Sequence, residues 1–316
     1  MRSKTMLLLR HLERVGRRFT TPVLTLGNFD GVHRGHQEIL RRVVATARAG
    51  HGDAVALTFQ PHPTAVVAPA HAPPLITDWR ARIDRIAAMG VDAVIVQRFT
   101  QAFSQIAAED FVRRFLVDGL GVRAVVVGHR VSFGHNRTGH AETLRQLGTR
   151  YGFAVEVIGP VQVGGVLVSS SAVRHAIAAG DLALARALLG RAPSACARVI
   201  HGHHRGKGLG FPTANLRLSG CVLPPDGVYA VRAQAQGSLR AAIANLGFNP
   251  TFGDRDRSLE VHIFDFDANL YGQRIEVGFV QRLRGEVKFS SPHALVQQIA
   301  RDIEAARRAL AESPAP

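Results

Sequence analysis

Cysteine is scarce: the 316 residues contain two, Cys196 and Cys221. Two such thiols form neither a metal-ligand pair nor a disulfide framework, and they suit a reduced, cytoplasmic compartment. Long apolar runs are also missing. No stretch approaches the roughly 20 residues needed to span a bilayer. The run Met6-Leu7-Leu8-Leu9 ends at Arg10, short of the about 7–15 apolar residues of a signal-peptide core. Acidic residues are in deficit, 24 against 39 Lys and Arg, which leaves a formal charge of +15. Such a surface suits anionic partners: nucleic acid, acidic lipid or phosphorylated small molecules. Internal repeats and low-complexity tracts are absent, and 46% hydrophobic residues argue against general disorder. At roughly 150 residues per domain, the length predicts one large or two ordinary domains.

From Val23 to Gly190, short apolar runs alternate with amphipathic stretches. The runs Val23 to Leu26, Ala54 to Phe59, Ala93 to Gln97, Ala124 to Val127 and Ala154 to Ile158 read as buried parallel strands. Between them, Ile39, Leu40, Val43 and Val44 recur at helical spacing, as do Phe111, Phe115 and Leu116. This alternation predicts a doubly wound α/β domain over residues 1–190, with ligands at the carboxyl ends of its strands. The stretch Arg191 to Ala195 reads as a junction. Beyond it, residues 191–316 carry turn clusters between strand-like runs at Val228 to Arg232, Ala241 to Leu246, Leu259 to Phe264 and Arg274 to Phe279. That spacing reads as an antiparallel barrel or sandwich. A final helix is predicted from about Pro292 to Leu310, with Leu295, Ile299, Ile303 and Ala306 on one face.

The first chemical constellation is Gly27-Asn28-Phe29-Asp30-Gly31-Val32-His33-Arg34-Gly35-His36, after the first of these strands. Glycines allow a tight turn and close ligand approach, and a helix N-terminus offers N–H groups and a positive dipole to phosphate. Two histidines three apart can reach one phosphate chain. As a metal site the pair lacks an evident third ligand. The stretch resembles the HxGH signature of the nucleotidylyltransferase superfamily, and the longer run resembles the FMN adenylyltransferase half of bacterial bifunctional riboflavin kinase/FAD synthetases. Thr58 to Pro63, Val168 to Arg174 and Leu188 to Arg191 resemble the family's TFEPHP, ISSTxIR and LLGR. The resemblance implies that His33 and His36 bind and polarise ATP phosphates. It implies that Gly27, Phe29, Asp30 and Gly35 shape the nucleotide site, and that Ser170, Ser171 and Arg174 hold phosphates. His62 would face the flavin. Physical chemistry agrees: the FMN phosphate is already anionic, so holding two anions in line and neutralising the leaving pyrophosphate is the task. No GxSxG surrounds Ser169 to Ser171, so they are no hydrolase nucleophile. One segment departs. Where the family has Asp or Asn and an aromatic, the run Gly128 to Gly139 has Arg130 and Val131.

The second constellation is Gly206 to Leu216. Its spacing is wrong for a Walker loop, because three residues separate Gly202 from Gly206 and Gly208 follows Lys207. His201, His203 and His204 read as a solvated basic loop rather than a metal site. The run resembles the RGxxLGFPTANL signature of riboflavin kinases. Further likenesses lie at Leu223 to Ala230, Asn245 to Gly253, Glu260 to Phe266 and Leu283 to Phe289. The resemblance implies a six-stranded antiparallel barrel ending in a helix. Gly206, Lys207 and Gly210 would bind ATP, and Thr213 and Asn215 would ligate Mg²⁺ with its phosphates. Glu260 would be the base that deprotonates the riboflavin 5′-hydroxyl, and Arg284 and Glu286 would face the flavin. Oxygen ligands suit Mg²⁺, and a neutral hydroxyl benefits from a base where the FMN phosphate does not.

The expected protein is therefore a two-domain enzyme that makes FMN from riboflavin and ATP, and FAD from FMN and ATP. One rival is a riboflavin kinase whose adenylyltransferase domain is impaired through Arg130. The other is a basic nucleic-acid-binding protein, against which stand scattered cations and no accompanying aromatics. The expected partners are the small-molecule substrates, without nucleic acid or membrane, and weak self-association is left open.

Overall fold

The computed structural model describes residues 6–201, 211–218, 220–248 and 257–313. The chain forms two compact units: Met1–Pro74 with Trp79–Ser170, and Leu75–Asp78 with Ser171–Pro316.

The first unit is built on a six-stranded parallel sheet. Its strands are β1 (Leu7–Arg10), β2 (Val23–Leu26), β3 (Ala54–Gln60), β4 (Ala93–Arg98), β5 (Ala124–Gly128) and β6 (Ala154–Ile158), in the order β1-β4-β3-β2-β5-β6. The central strands are apolar on both faces because helices cover both. On one side α1 (Arg34–Ala49) buries Leu40, Val43 and Ala47. After α2 (Pro63–Val67), α3 (Trp79–Ala87) adds Ile83 and Ile86 to the same cluster. On the other side, α4 (Gln101–Ser104) is followed by α5 (Ala108–Phe111), which continues as a π-helix through Val112–Leu120. Phe111, Phe115 and Leu116 from this run, with Leu144 and Leu147 of α6 (Ala141–Tyr151), close the second cluster. A small hairpin follows, β7 (Gln162–Val163) and β8 (Val166–Leu167). The expected doubly wound α/β fold is thus present. The edge strand β1 is an addition: Leu7 is 52% and Leu8 43% exposed, so no apolar periodicity announces it. Only pairing with β4, Leu7 opposite Ala93 to Arg10 opposite Val96, makes it a strand.

The chain runs from β2 outward to β3 and β4, then returns to β5 on the other side of β2. The switch in direction falls between β2 and β5, where open α/β sheets leave a crevice at the strands' carboxyl ends.

The second unit opens with α7 (Ser170–Ala179, from Ser171) and α8 (Leu182–Leu189), joined through the Gly180-Asp181 turn. Asp181 caps α8 by accepting from the Leu184 N–H at 2.8 Å. Six antiparallel strands then close a barrel: β9 (Ser194–Ile200), β10 (Ala214–Arg217), β11 (Gly227–Ala235), β12 (Ser238–Phe248), β13 (Arg257–Ile263) and β14 (Arg274–Arg284). Their cyclic order is β10-β13-β12-β11-β14-β9. Between barrel and sandwich, the turn pattern left the choice open; closure decides for the barrel. Tyr229, Val231, Leu246, Leu259 and Val277 fill its interior together with Leu182 from α8. Leu75 joins this unit by bonding to Gly220 and Val222 on either side of Cys221. Outside the barrel lies α9 (Pro292–Glu312). Its Ala306, Ala309 and Leu310 pack on Val228, Ala230, Ile243 and Phe264.

Candidate functional sites

At the switch point of the first unit, Gly27 leaves β2 while its N–H still donates to the Leu57 carbonyl at 3.0 Å. The chain then turns through Phe29 (φ 48°) and Gly31 (φ 79°) and enters α1 at His33. His33 caps the helix: its Nδ1 accepts the His36 N–H at 3.3 Å. In the neutral ring the proton of His33 therefore sits on Nε2. The two imidazoles stack 3.7 Å apart at 15°, and the edge of Phe29 meets His36 at 5.2 Å. Gly35 is needed for this pose, because a Cβ there would lie 3.2 Å from Cε1 and 3.3 Å from Nδ1 of His33.

Burial, then the neighbouring His33 and then Arg82 hold His36 well below its ordinary pKa. Its Nδ1 is buried without a hydrogen-bond partner. Near neutral pH His36 is thus an uncharged donor or acceptor rather than a standing cation. Two imidazoles that offer N–H donors beside a helix N-terminus can take an anion such as a polyphosphate.

Ser170 and His62 border this turn. Ser170 Oγ donates to the buried Asp30 carbonyl at 3.2 Å. His62 caps α2 through Nδ1, which accepts the Thr64 N–H at 3.2 Å, and its Nε2 meets the Asn28 side-chain amide at 3.1 Å. Ser171 and Arg174 belong to α7 in the second unit. After β5, Phe133 and Gly139 exchange two backbone hydrogen bonds of 3.0 Å. Any Cβ on Gly139 would strike Phe133, and one on Gly134 (φ 73°) would strike Ala108. The glycine frame of this segment is therefore closely packed. Arg130 is exposed, and Val131 packs against the core in place of the family's aromatic.

In the barrel, one rung carries the second constellation. Glu260 on β13 stands opposite Asn215 on one side and Asn245 on the other, and Asn245 in turn stands opposite Val228, which pairs with Arg284. Directly paired residues point to the same face of a sheet. Val228 packs under α9, so this is the face turned away from the barrel core. Asn215 is 7% exposed, and its amide N–H donates to the Thr213 carbonyl at 3.4 Å. His262, two residues along from Glu260, meets the Pro212 carbonyl at 2.8 Å through Nδ1. The guanidinium of Arg284 is held by Asp302 of α9, at 2.8 Å from NH2 and 3.0 Å from Nε. Glu286 lies over Gly247, where any Cβ would collide with its carboxylate. Gly206, Lys207 and Gly210 lie outside the described residues, as does Asn249 to Gly253. The motifs did not assign Asn28, Asn245, Asp302 or Arg82. The first two sit inside quoted motifs; Asp302 and Arg82 carry no local signal.

A histidine-lined turn at the switch point of a parallel sheet, in a chain with a separate antiparallel barrel, defines a nucleotide-handling protein of two catalytic modules. The FAD synthetase family model matches residues 17–172, and the riboflavin kinase family model matches residues 189–310. The bifunctional riboflavin kinase/FMN adenylyltransferase of Pseudomonas fluorescens is 42% identical over 296 residues, covering 92% of this chain and 94% of its own. The proteins of the same description from Haemophilus influenzae and Escherichia coli K12 are 38% and 39% identical, covering 96% and 90% of this chain and 98% and 91% of theirs. A crystal structure described as a macrolide-efflux protein from Streptococcus pneumoniae superposes with a TM-score of 0.84 at 30% identity, covering 96% of this chain and 99% of that one. The chain belongs to the bifunctional riboflavin kinase/FMN adenylyltransferase family. Among the described residues, no helix is long and apolar enough to cross a membrane.

Proposed function

We propose that the chain divides two ATP-dependent reactions between its modules, with the functional boundary at 190/191. The C-terminal module phosphorylates riboflavin to FMN, and the N-terminal module adenylylates FMN to FAD and releases pyrophosphate. The observation that carries the second reaction is the stacked His33–His36 pair at the start of α1, at the switch point of the sheet. There the FMN phosphate attacks the α-phosphorus of ATP in line. His33 and His36 donate hydrogen bonds to the phosphates as charge moves onto the leaving pyrophosphate. Gly27, Phe29, Asp30 and Gly35 shape the turn, His62 borders the flavin, and Ser170, Ser171 and Arg174 contribute further phosphate-binding groups. The intact Gly134 and Gly139 frame, with Arg130 exposed, favours this reading over a kinase with an impaired partner module.

In the kinase module Glu260 accepts the 5′-hydroxyl proton of riboflavin as that oxygen attacks the γ-phosphorus of ATP and ADP leaves. Asn215 and Asn245 flank it in register. Thr213 and Asn215 offer oxygen donors of the kind that fits Mg²⁺. When bound with ATP, Mg²⁺ supplies neutralising charge to the transferring phosphates. Gly206, Lys207 and Gly210 complete the ATP site in this reading, while Arg284 and Glu286 border the flavin. Scarce cysteine and the use of ATP support a cytoplasmic enzyme in this reading, and the scattered cations favour small-molecule substrates over nucleic acid.

Two variants of the full chain test the assignment. Glu260→Gln is expected to abolish most FMN formation while FAD formation from supplied FMN persists; His36→Gln is expected to do the reverse. Kinase activity at the wild-type rate in Glu260→Gln would rule out Glu260 as the base. Unchanged FAD synthesis in His36→Gln would rule out the turn.

A further inference from the structure

Arg82 is 2% exposed, among the largest side chains buried to this degree. Arginine is almost never buried so deeply without partners for its five donors. It enters from α3 and reaches two different loops. NH1 donates to the Asn28 carbonyl at 2.9 Å, in the turn after β2. NH2 donates to the Phe59 carbonyl at 3.1 Å and to Gln60 Oε1 at 3.0 Å, at the end of β3. The same Asn28 carbonyl accepts from Thr58 Oγ1 at 3.3 Å, and the Asn28 side chain meets His62. The two loops that lead to His36 and to His62 therefore share one guanidinium.

We infer that Arg82 is a positioning residue for adenylyl transfer: its guanidinium ties the β2 and β3 loops together and keeps a permanent cation near the stacked imidazoles. The inference rests on reading the His33–His36 turn as the phosphate site. The planar fork of arginine serves acceptors on two separate loops at once, and it stays charged in a buried setting. The groups around His36 are consistent with this. His33 faces it from the turn with the edge of Phe29, Asp30 lies buried in the same turn, and Arg82 acts from α3. Arg82 is one of the causes that keep His36 uncharged before the nucleotide arrives.

The test uses the full chain, where FMN formation from riboflavin serves as an internal control. Arg82→Met keeps the length of the stem and removes the charge and all donors. FAD formation from FMN and ATP is expected to fall by about 30-fold or more, mainly in kcat, with FMN formation unchanged. Arg82→Lys keeps the charge but not the fork, and is expected to make FAD faster than Arg82→Met and more slowly than wild type. Histidine side-chain NMR, with the His36 signal assigned through His36→Gln, reads the charge beside the ring, and Arg82→Lys, which keeps that charge, controls for changed packing. His36 should titrate at higher pH in Arg82→Met and stay low in Arg82→Lys. The inference is overturned if Arg82→Met makes FAD at the wild-type rate, if Arg82→Lys is no better than Arg82→Met, or if the His36 titration does not move. Should Arg82→Met fail to fold, Arg82→Lys decides: slowed FAD formation with FMN formation unchanged and a low His36 titration supports the inference, and wild-type FAD formation or a raised His36 titration overturns it. If His36→Gln itself makes FAD normally, the reading of the turn has failed; if it does not while Arg82→Met does, only the role of Arg82 has.

Discussion

Gly35→Ala separates stability from catalysis within one helical turn. Alanine is a better helix former than glycine by up to about 1 kcal/mol in a helix interior, and by less in the first turn. The substitution alone should therefore leave α1 unharmed or firmer. The added methyl would lie 3.2 Å from Cε1 and 3.3 Å from Nδ1 of His33, so the imidazole must shift by a few tenths of an ångström. The bond from the His36 N–H to His33 Nδ1 is already 3.3 Å long, and a shift of that size breaks it. A net hydrogen bond is worth about 0.5–1.5 kcal/mol, which at 1.36 kcal/mol per decade converts to roughly 2- to 13-fold in rate. The assay follows FAD from FMN and ATP, then FMN from riboflavin and ATP, in the same preparation, with thermal unfolding alongside. FAD formation should fall within that range while FMN formation and the unfolding midpoint hold. Wild-type FAD formation would refute the steric argument. A parallel loss of both activities would refute its locality.

The structure supports three further expectations. A fragment of residues 171–316 should be more stable than one of residues 194–316, because only the longer retains Leu182 in the barrel core; burying a leucine contributes about 1.5–3 kcal/mol, and equal urea midpoints would contradict this. Arg284→Met leaves the buried Asp302 carboxylate of α9 without its cation, with Gln298 as a donor, and should cost up to about 3 kcal/mol in urea unfolding, with much of the loss recovered by adding Asp302→Leu. For His36 the folded pKa lies below the unfolded one, so below about pH 6.5 the unfolded chain binds a proton that the folded chain refuses. Stability is then lost as pH falls through that value, and the difference between wild type and His36→Asn should show this loss between neutral and acid pH; identical pH profiles would count against it.

Local patterns made the architecture readable. Four of the five apolar runs from Val23 to Ile158 became parallel strands because burial on both faces imposes an apolar composition at nearly every position, and the fifth, the partly exposed edge strand β6, follows by pairing with β5. Turn chemistry likewise marked the Gly27 to His36 turn and the Gly180-Asp181 break, since those glycines answer to their own backbone. Features that depend on distant partners stayed silent. β1 has half-exposed leucines and exists through β4; β9 and β10 exist through barrel closure. The stretch Leu75–Asp78 belongs with Cys221 and the barrel, although its neighbours in sequence do not. Motif likeness singled out Asn215 and Glu260, but their direct opposition, with Asn245 on the far side, is a matter of strand register. Arg82 and Asp302 carry no local sign of burial. Their burial is decided by acceptors on β-strand loops and by Arg284, which lie far away along the chain and become neighbours only when the tertiary structure closes.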